Sequence, residues 1–273
     1  MISDKLFKEF SDTFYQISGI RLPIEKKYLV ENRLSKYIGP LKEYRSFAAI
    51  LEQLTSTSPS EVKSTKILLI NALTTNYSYF FRDIAHFRFL SYILDTRKKQ
   101  ERLPVRIWSA ACSSGEELYS IGITAEMAIP GFSQSEVEIL GTDISADMIA
   151  KARSGRYQAG SMVKKLSSDM ISRFFDPVPE NEEYIEVSES IRKKIRIERL
   201  NLLESFSFSR PFDIVFLRNI LIYFNNQEKE LIINGIAQNM CDKGYLILGH
   251  TENTLGLNIP FTTKQYSIYQ KSR

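Results

Sequence analysis

The sequence predicts an α/β protein: a mostly parallel sheet with an all-helical segment in front of it. Three observations lead there. From residue 105 onward, short apolar runs alternate with helical spacings, the pattern of strand–helix–strand crossovers. The last two runs have no helix between them, so the sheet is expected to end on an antiparallel strand. Residues 1–75 show helical spacing and no strand signal.

The elements follow in order. Val30, Leu34, Tyr37 and Ile38 fall at i, i+4, i+7 and i+8 and build one apolar stripe, which Gly39-Pro40 stops. Residues 56–60 (STSPS) read as a turn and residues 67–73 as a compact apolar helical run. Residues 105–110 (VRIWSA) lie between Pro104 and a Ser/Gly loop, which suits a buried parallel strand. Residues 117–129 have helical spacing, with Leu118, Ile121, Ala125 and Ala128 in phase. A strand over 137–141 ends in Thr142-Asp143, and a helix covers 146–152. Residues 195–200 and 212–217 read as strands, and 227–241 as a helix with Ile232, Ile236 and Met240 on one side. Strands over 245–248 and 266–270 close the chain. Residues 155–194 interrupt the alternation and are too long for a plain connection. Tyr184 to Val187 alternates there, the start of a small accessory sheet. The expected division is a helical domain over 1–75, a linker and helix over 76–104, and a sheet domain over 105–273 with a β-subdomain within 155–194.

The bulk numbers narrow the class. A chain of 273 residues, 43% hydrophobic and 25% charged, builds its core without staples. Two cysteines, Cys112 and Cys241, make no disulfide framework and point to a reducing compartment. The first ten residues, MISDKLFKEF, carry acids and lack an apolar signal core, and no run of 18 apolar residues occurs. A cytoplasmic protein without a membrane span is expected. A net charge of +4 does not by itself indicate nucleic-acid binding. The basic residues are uneven, with seven against three acids from Arg21 to Arg45. That stretch is either a solvated helix face or a surface that meets an acidic partner.

Ligands of open α/β sheets sit beyond the carboxyl ends of the strands, so those loops carry the chemistry. After the first strand comes Ser109-Ala110-Ala111-Cys112-Ser113-Ser114-Gly115-Glu116-Glu117. No G-x-G-x-x-G is present, and two acids open the helix. They would repel a pyrophosphate and attract the ammonium of an amino acid; equally, they complement the helix dipole. Asp143, after the second strand, suits ribose hydroxyls or a helix N-cap. Asn201-Leu202 follows the third strand, and Arg218-Asn219 follows the fourth, ahead of Leu221-Ile222-Tyr223-Phe224. In the stretch 74–83 (TTNYSYFFRD), a helix cap followed by aromatic packing accounts for Phe80 and Phe81 but not for Arg82. His86 and His250 lack metal spacing and read as structural, and no nucleophile elbow or P-loop occurs. No metal is expected.

Taken together and in this order, TTNYSYFFRD, RIWSAACSSGEELYSI, ILGTDISADMIAKARSGRY, NLLE, FDIVFLRNILIYF, GYLILGHTEN and SIYQK resemble the CheR-type chemotaxis receptor glutamate methyltransferases. The resemblance covers essentially the whole chain. It implies a Rossmann-like S-adenosylmethionine-dependent methyltransferase sheet with a small helical N-terminal domain and a small β-subdomain. It further implies methyl transfer from S-adenosylmethionine to receptor glutamates, giving methyl esters and S-adenosylhomocysteine. The cofactor contacts it implies are Asn76, Ser78, Arg82, Glu117, Asp143, Asn201, Leu202, Arg218 and Asn219, with Arg82 and Tyr223 nearest the reacting groups. Lys26, Lys27, Arg33 and Lys36 would face the acidic methylation helices of the cytoplasmic receptor domain, the protein acting as a monomer without nucleic acid. The alternative is a non-catalytic module that senses S-adenosylmethionine or docks on receptors. Ser78 stands where the family usually has Thr, Leu118 stands where it usually has Pro, and residues 155–194 match the family's β-subdomain loosely.

Overall fold

The computed structural model describes residues 2–159 and 166–272. The chain divides into two compact units, residues 1–75 with 144–146, and the remainder.

The first unit holds four helices: α1 (Asp4–Ser18), α2 (Lys27–Leu34), α3 (Phe47–Leu54) and α4 (Pro59–Leu73). Ser3 caps α1 by accepting from the Leu6 amide at 3.2 Å. Gly19, left-handed at φ 72°, ends it. Phe7, Phe10 and Phe14 share the buried face of α1 at the spacing of a helix stripe. The stripe expected through Ile38 is only partly helical. After Leu34 the chain tightens into a 3₁₀ turn, Ser35–Tyr37, and Ile38 is already extended, bridging to Tyr44. Val30 and Leu34 are buried, and that is where the α-helix ends. Pro59 occupies the first turn of α4, so the STSPS turn gives way to a helix earlier than expected.

The second unit begins with α5 (Ile84–Lys99) and continues through β1 (Val105–Ser109), α6 (Glu116–Ala128), β2 (Val137–Asp143) and α7 (Ala146–Ser154). The stretch read as a linker and helix thus folds with the sheet, and α5 packs on α6. Then come β3 (Arg156–Gln158), α8 (Ser168–Phe174), β4 (Phe175–Pro177), β5 (Tyr184–Val187), α9 (Glu189–Arg192), β6 (Ile195–Arg199), β7 (Phe212–Leu217), α10 (Asn226–Gln238), β8 (Met240–Leu248), β9 (Phe261–Gln265) and β10 (Ile268–Lys271). The main sheet has the order β6-β2-β1-β7-β8-β10-β9. The first five strands run parallel, while β10 is antiparallel to β8 and β9 antiparallel to β10. The small sheet β3-β5-β4 is antiparallel throughout and lies within the 155–194 insertion. Residues 160–165 of that insertion fall outside the described residues.

Strand alternation builds two cores. Ile107, Ile139, Ile214 and Phe216 point to one face with Phe87, Leu90 and Ile121. Trp108, Leu140, Val215 and Leu217 point to the other with Ile232, Ile233 and Ile236. The period-2 pattern therefore supplies both helix layers from the same strands. Two boundaries differ from expectation. The α10 helix ends at Gln238 and Met240 already pairs with Phe212, with an irregular register before Tyr245; Met240 is apolar because it is a strand core residue. The edge strand β9 went unread because Phe261–Gln265 is mostly exposed and carries no apolar alternation. No described helix is long and apolar enough to cross a membrane.

Candidate active site

The strand order reverses at β1, which lies between β2 and β7. A crevice opens beyond the carboxyl ends at such a switch point. The loops read as functional leave four adjacent strands there, β6, β2, β1 and β7, so Asn201, Asp143, the Ser109–Glu117 segment and Arg218 come to one sheet edge.

Arg218 is the hub. Its side chain is 2% exposed. One terminal nitrogen donates to Glu117 Oε2 at 2.7 Å; the other donates to Asp83 Oδ2 at 2.5 Å and to the Arg82 carbonyl at 2.7 Å. Its buried Nε has no partner among the described residues. Glu117 also accepts from Ser109 Oγ at 2.7 Å through its second oxygen. Each carboxylate oxygen has two lone pairs, so both bonds leave Glu117 able to accept further donors.

The neighbouring acid behaves differently. Glu116 is fully buried and accepts from Ser114 Oγ at 2.8 Å on both oxygens, and the Ser78 hydroxyl bonds to it as well. Burial pushes its carboxyl above the usual carboxylate range, against its own backbone amide and these hydroxyls. Leu118, third residue of α6, is buried and fills the space over Gly141, where a Cβ would stand 2.5 Å from its Cδ2. The loop before α6 is fixed by other means than a proline: Ser113 is left-handed at φ 49°, its amide donates to Asp143 Oδ2 at 2.8 Å, and Gly115 is left-handed at φ 98°. A Cβ on Gly115 would meet the Tyr157 hydroxyl at 2.8 Å. The Cys112 thiol, buried in this loop, is raised by burial and then by the charges of Asp143 and Glu117, so it stays protonated and inert.

Arg82 is held without an acid. Its guanidinium donates to the Tyr77 carbonyl at 3.2 Å and lies over the Tyr77 and Tyr79 rings at 6.0 and 5.6 Å. Among the described residues no carboxylate pairs with it. Its backbone is fixed on both sides: Phe81 and Asp83 are left-handed, and the Phe81 amide donates to Ser120 Oγ at 2.9 Å. Asn201 makes a local turn, accepting from the Leu203 amide at 3.1 Å, with Leu202 buried beside it. Asn219 is left-handed at φ 59°, and Tyr223 is half-buried in the 3₁₀ turn Leu221–Tyr223.

Hydrogen bonds join Arg82, Glu117 and Arg218 into one cluster, place Ser78 on the neighbouring Glu116, and bring Asp143 onto the Ser113 amide. No bond joins Tyr223 to Arg82. Two participants, Asp83 and Glu252, were not singled out in the sequence, and a third, His250, was read there as structural. Asp83 anchors Arg218. His250 Nε2 lies 3.3 Å from Asp83 Oδ1 and stacks on His86 and Tyr266 at 5.0 and 5.2 Å. Glu252 receives the backbone after β7. An acid directly after Arg82, and one just beyond β8, were the available signals. The four cations named as receptor-contact candidates have different surroundings: Arg33 donates to the Ala72, Leu73 and Thr74 carbonyls at the end of α4, at 3.4, 3.1 and 2.8 Å. Lys27 pairs with Asp4 at 2.6 Å, while Lys26 and Lys36 are exposed.

Comparison with known proteins decides the family. The all-alpha domain of CheR methyltransferases matches residues 5–74, and their SAM binding domain matches residues 76–269. The chain belongs to the CheR methyltransferase family. Its relatives include the chemotaxis protein methyltransferases of Vibrio parahaemolyticus (33% identical; 95% of this chain, 93% of that one), Salmonella typhimurium (32%; 100% and 92%) and Pseudomonas putida (33%; 97% and 97%). It is therefore an S-adenosylmethionine-dependent chemotaxis protein methyltransferase. The residues fit that cofactor: Glu117 in the first turn of α6 and Asp143 at the end of β2 suit an ammonium and ribose hydroxyls, and the small side chains of the loop between β1 and α6 leave its backbone approachable.

Proposed function

We propose that this enzyme methylates the side-chain carboxylate of glutamates on the cytoplasmic domain of chemotaxis receptors. The supporting observation is Arg82, a guanidinium held by a carbonyl and two rings with no acid paired to it among the described residues. Such a cation receives an incoming carboxylate by charge-assisted hydrogen bonds. S-adenosylmethionine, when bound, supplies a methyl on a positively charged sulfur, already activated for transfer. Glu117 takes the amino-acid ammonium, Asp143 the ribose, and Asn76, Ser78, Asn201, Leu202 and Asn219 the remainder of the cofactor. A glutamate is ionised at pH 7, so no general base is needed. The chain aligns the two reactants and excludes water, which supplies several kcal/mol of the barrier reduction. Arg82 orients the carboxylate, and Tyr223 shapes the pocket against it. Lys26 and Lys36 of the helical unit meet the acidic receptor helices, a task suited to a cytoplasmic protein.

Methyl-labelled S-adenosylmethionine supplied with receptor-containing membranes tests this. Label that appears on the receptor and is released by mild alkali, as an ester is, supports the reading. Cofactor binding without transfer would instead favour a sensing or docking module.

A further inference from the structure

The chain after β7 makes an unusual demand. Asn219, a non-glycine residue, is left-handed at φ 59°, and the amides of Asn219, Ile220 and Leu221 turn toward one point. Converging amides form a concave anion site. The carboxylate of Glu252 fills it from the loop after β8, the strand that lies beside β7 in the sheet. Oε2 accepts from Asn219 at 2.8 Å and from Gly249 at 2.7 Å. Oε1 accepts from Ile220 at 2.8 Å and from Leu221 at 2.7 Å. Four backbone amides thus end on one side chain that is 6% exposed. Gly249 completes the fit: a Cβ there would stand 2.7 Å from Asn219 Nδ2 and 2.8 Å from Glu252 Oε2.

From this geometry we infer that Glu252 is a positioning residue for methyl transfer. It fixes the backbone that carries Asn219 and Tyr223 and touches neither cofactor nor substrate. The inference rests on the reading of those two residues as site residues. Its chemistry is specific. A carboxylate is acceptor-only, and this one meets donors on both oxygens. Glutamine has the same shape but turns an NH₂ toward two N–H groups in either orientation. A residue that merely fills space tolerates that exchange; an amide acceptor does not.

The test is Glu252→Gln, with folding checked by the fluorescence of Trp108. The first two readouts need no receptor: hydrogen exchange of the 218–224 backbone, and affinity for S-adenosylhomocysteine by calorimetry. The third is the split between kcat and KM on receptor membranes. We expect at least tenfold faster exchange at residues 219–221, several-fold weaker S-adenosylhomocysteine binding, and kcat at least tenfold lower with KM for receptor within twofold. A folded variant within twofold of wild type in all three overturns the inference. Gly249→Ala displaces the carboxylate while keeping it, and it serves if the glutamine variant does not fold. Its kcat is expected to fall likewise, and a wild-type kcat overturns the inference. Wild-type enzyme that binds S-adenosylhomocysteine but never methylates a receptor sinks the proposed function, yet the exchange and affinity readouts still decide the role of Glu252.

Discussion

Two arginines lie on either side of one hydrogen bond and have opposite surroundings. Arg218 is buried and paired to two acids, with Glu117 at 2.7 Å, Asp83 at 2.5 Å and the Arg82 carbonyl at 2.7 Å. Arg82, whose carbonyl receives that bond, has a half-buried side chain and no paired acid among the described residues. Both carry the same charge, and the family resemblance implied cofactor contact for both, with Arg82 alone placed near the reacting groups. The surroundings separate them. A guanidinium that satisfies two acids ties three loops together, and one steadied by rings and a carbonyl keeps its charge for a carboxylate that arrives.

The largest expected effect tests the first half of that contrast. Arg218→Ala leaves Glu117 and Asp83 without their cation in a mostly dry site. Removing one partner of a buried pair typically costs about 3–5 kcal/mol. The cost here should reach the lower end, since Asp83 is 22% exposed. Trp108 is the chain's one tryptophan, fully buried against Phe206, Phe208 and Phe212, so its fluorescence in denaturant reports on this unit. Arg218→Lys keeps the charge and loses the fork, so it should be destabilised as well. An alanine variant within 1 kcal/mol of wild type would show that Arg218 is not a structural hub.

A second effect belongs to the same buried side. His86 is buried, and its Nε2 lies 2.7 Å from Ser267 Oγ. Burial first, then the charge of Arg218, lowers it to about 4. The unfolded chain accepts a proton near 6.5 that the native state resists. Stability from this group is therefore complete above pH 6.5, falls as pH drops toward 4, and levels off below. The difference amounts to roughly 3 kcal/mol. Unfolding free energies of wild type and His86→Phe at pH 7 and pH 4.5 should diverge in slope, wild type losing more. Parallel profiles would refute the assignment.

The sheet was legible because burial on both faces writes near-continuous apolar strands, such as Val105–Ser109 and Phe212–Leu217. The edge strand β9 was not, because an exposed edge needs no such pattern. Among the candidate site residues, Glu117 and Asp143 were proposed from their places in the loops that follow strands. The difference in pairing between Arg82 and Arg218 was not legible, because it depends on Asp83, a left-handed residue with its carboxylate on Arg218. Glu252 was hidden for a similar reason: three of its four partners are backbone amides 31 to 33 residues away, which carry no sequence signature.

The second half of the contrast predicts a loss without instability. Arg82→Ala removes no acid's partner, so the unfolding free energy should stay within about 1 kcal/mol of wild type. Turnover should fall on the order of a hundredfold, the effect of losing one charge-assisted contact to a reacting group. Affinity for S-adenosylhomocysteine should change less than kcat does. A variant that loses stability as Arg218→Ala does, or keeps its kcat, would erase the distinction between the two arginines.

The smallest effect extends the same contrast to the helical unit. There Arg33 is taken up by the last carbonyls of α4 and Lys27 by Asp4. Lys26 and Lys36 have no acid paired to them among the described residues, and Lys36 lies over the Tyr37 ring at 4.7 Å. If unpaired cations are the ones available to partners, reversing these two should raise KM for receptor several-fold at low salt. That difference should shrink toward zero near 0.5 M salt, where the screening length falls to roughly 4 Å. Affinity for S-adenosylhomocysteine should not move. Arg33→Glu should instead act through stability, because it removes the cap on α4 and places an acid against three carbonyls. An unchanged KM in the double reversal, with a raised KM and full stability for Arg33→Glu, would show that pairing in the free protein does not select the cations that meet the receptor.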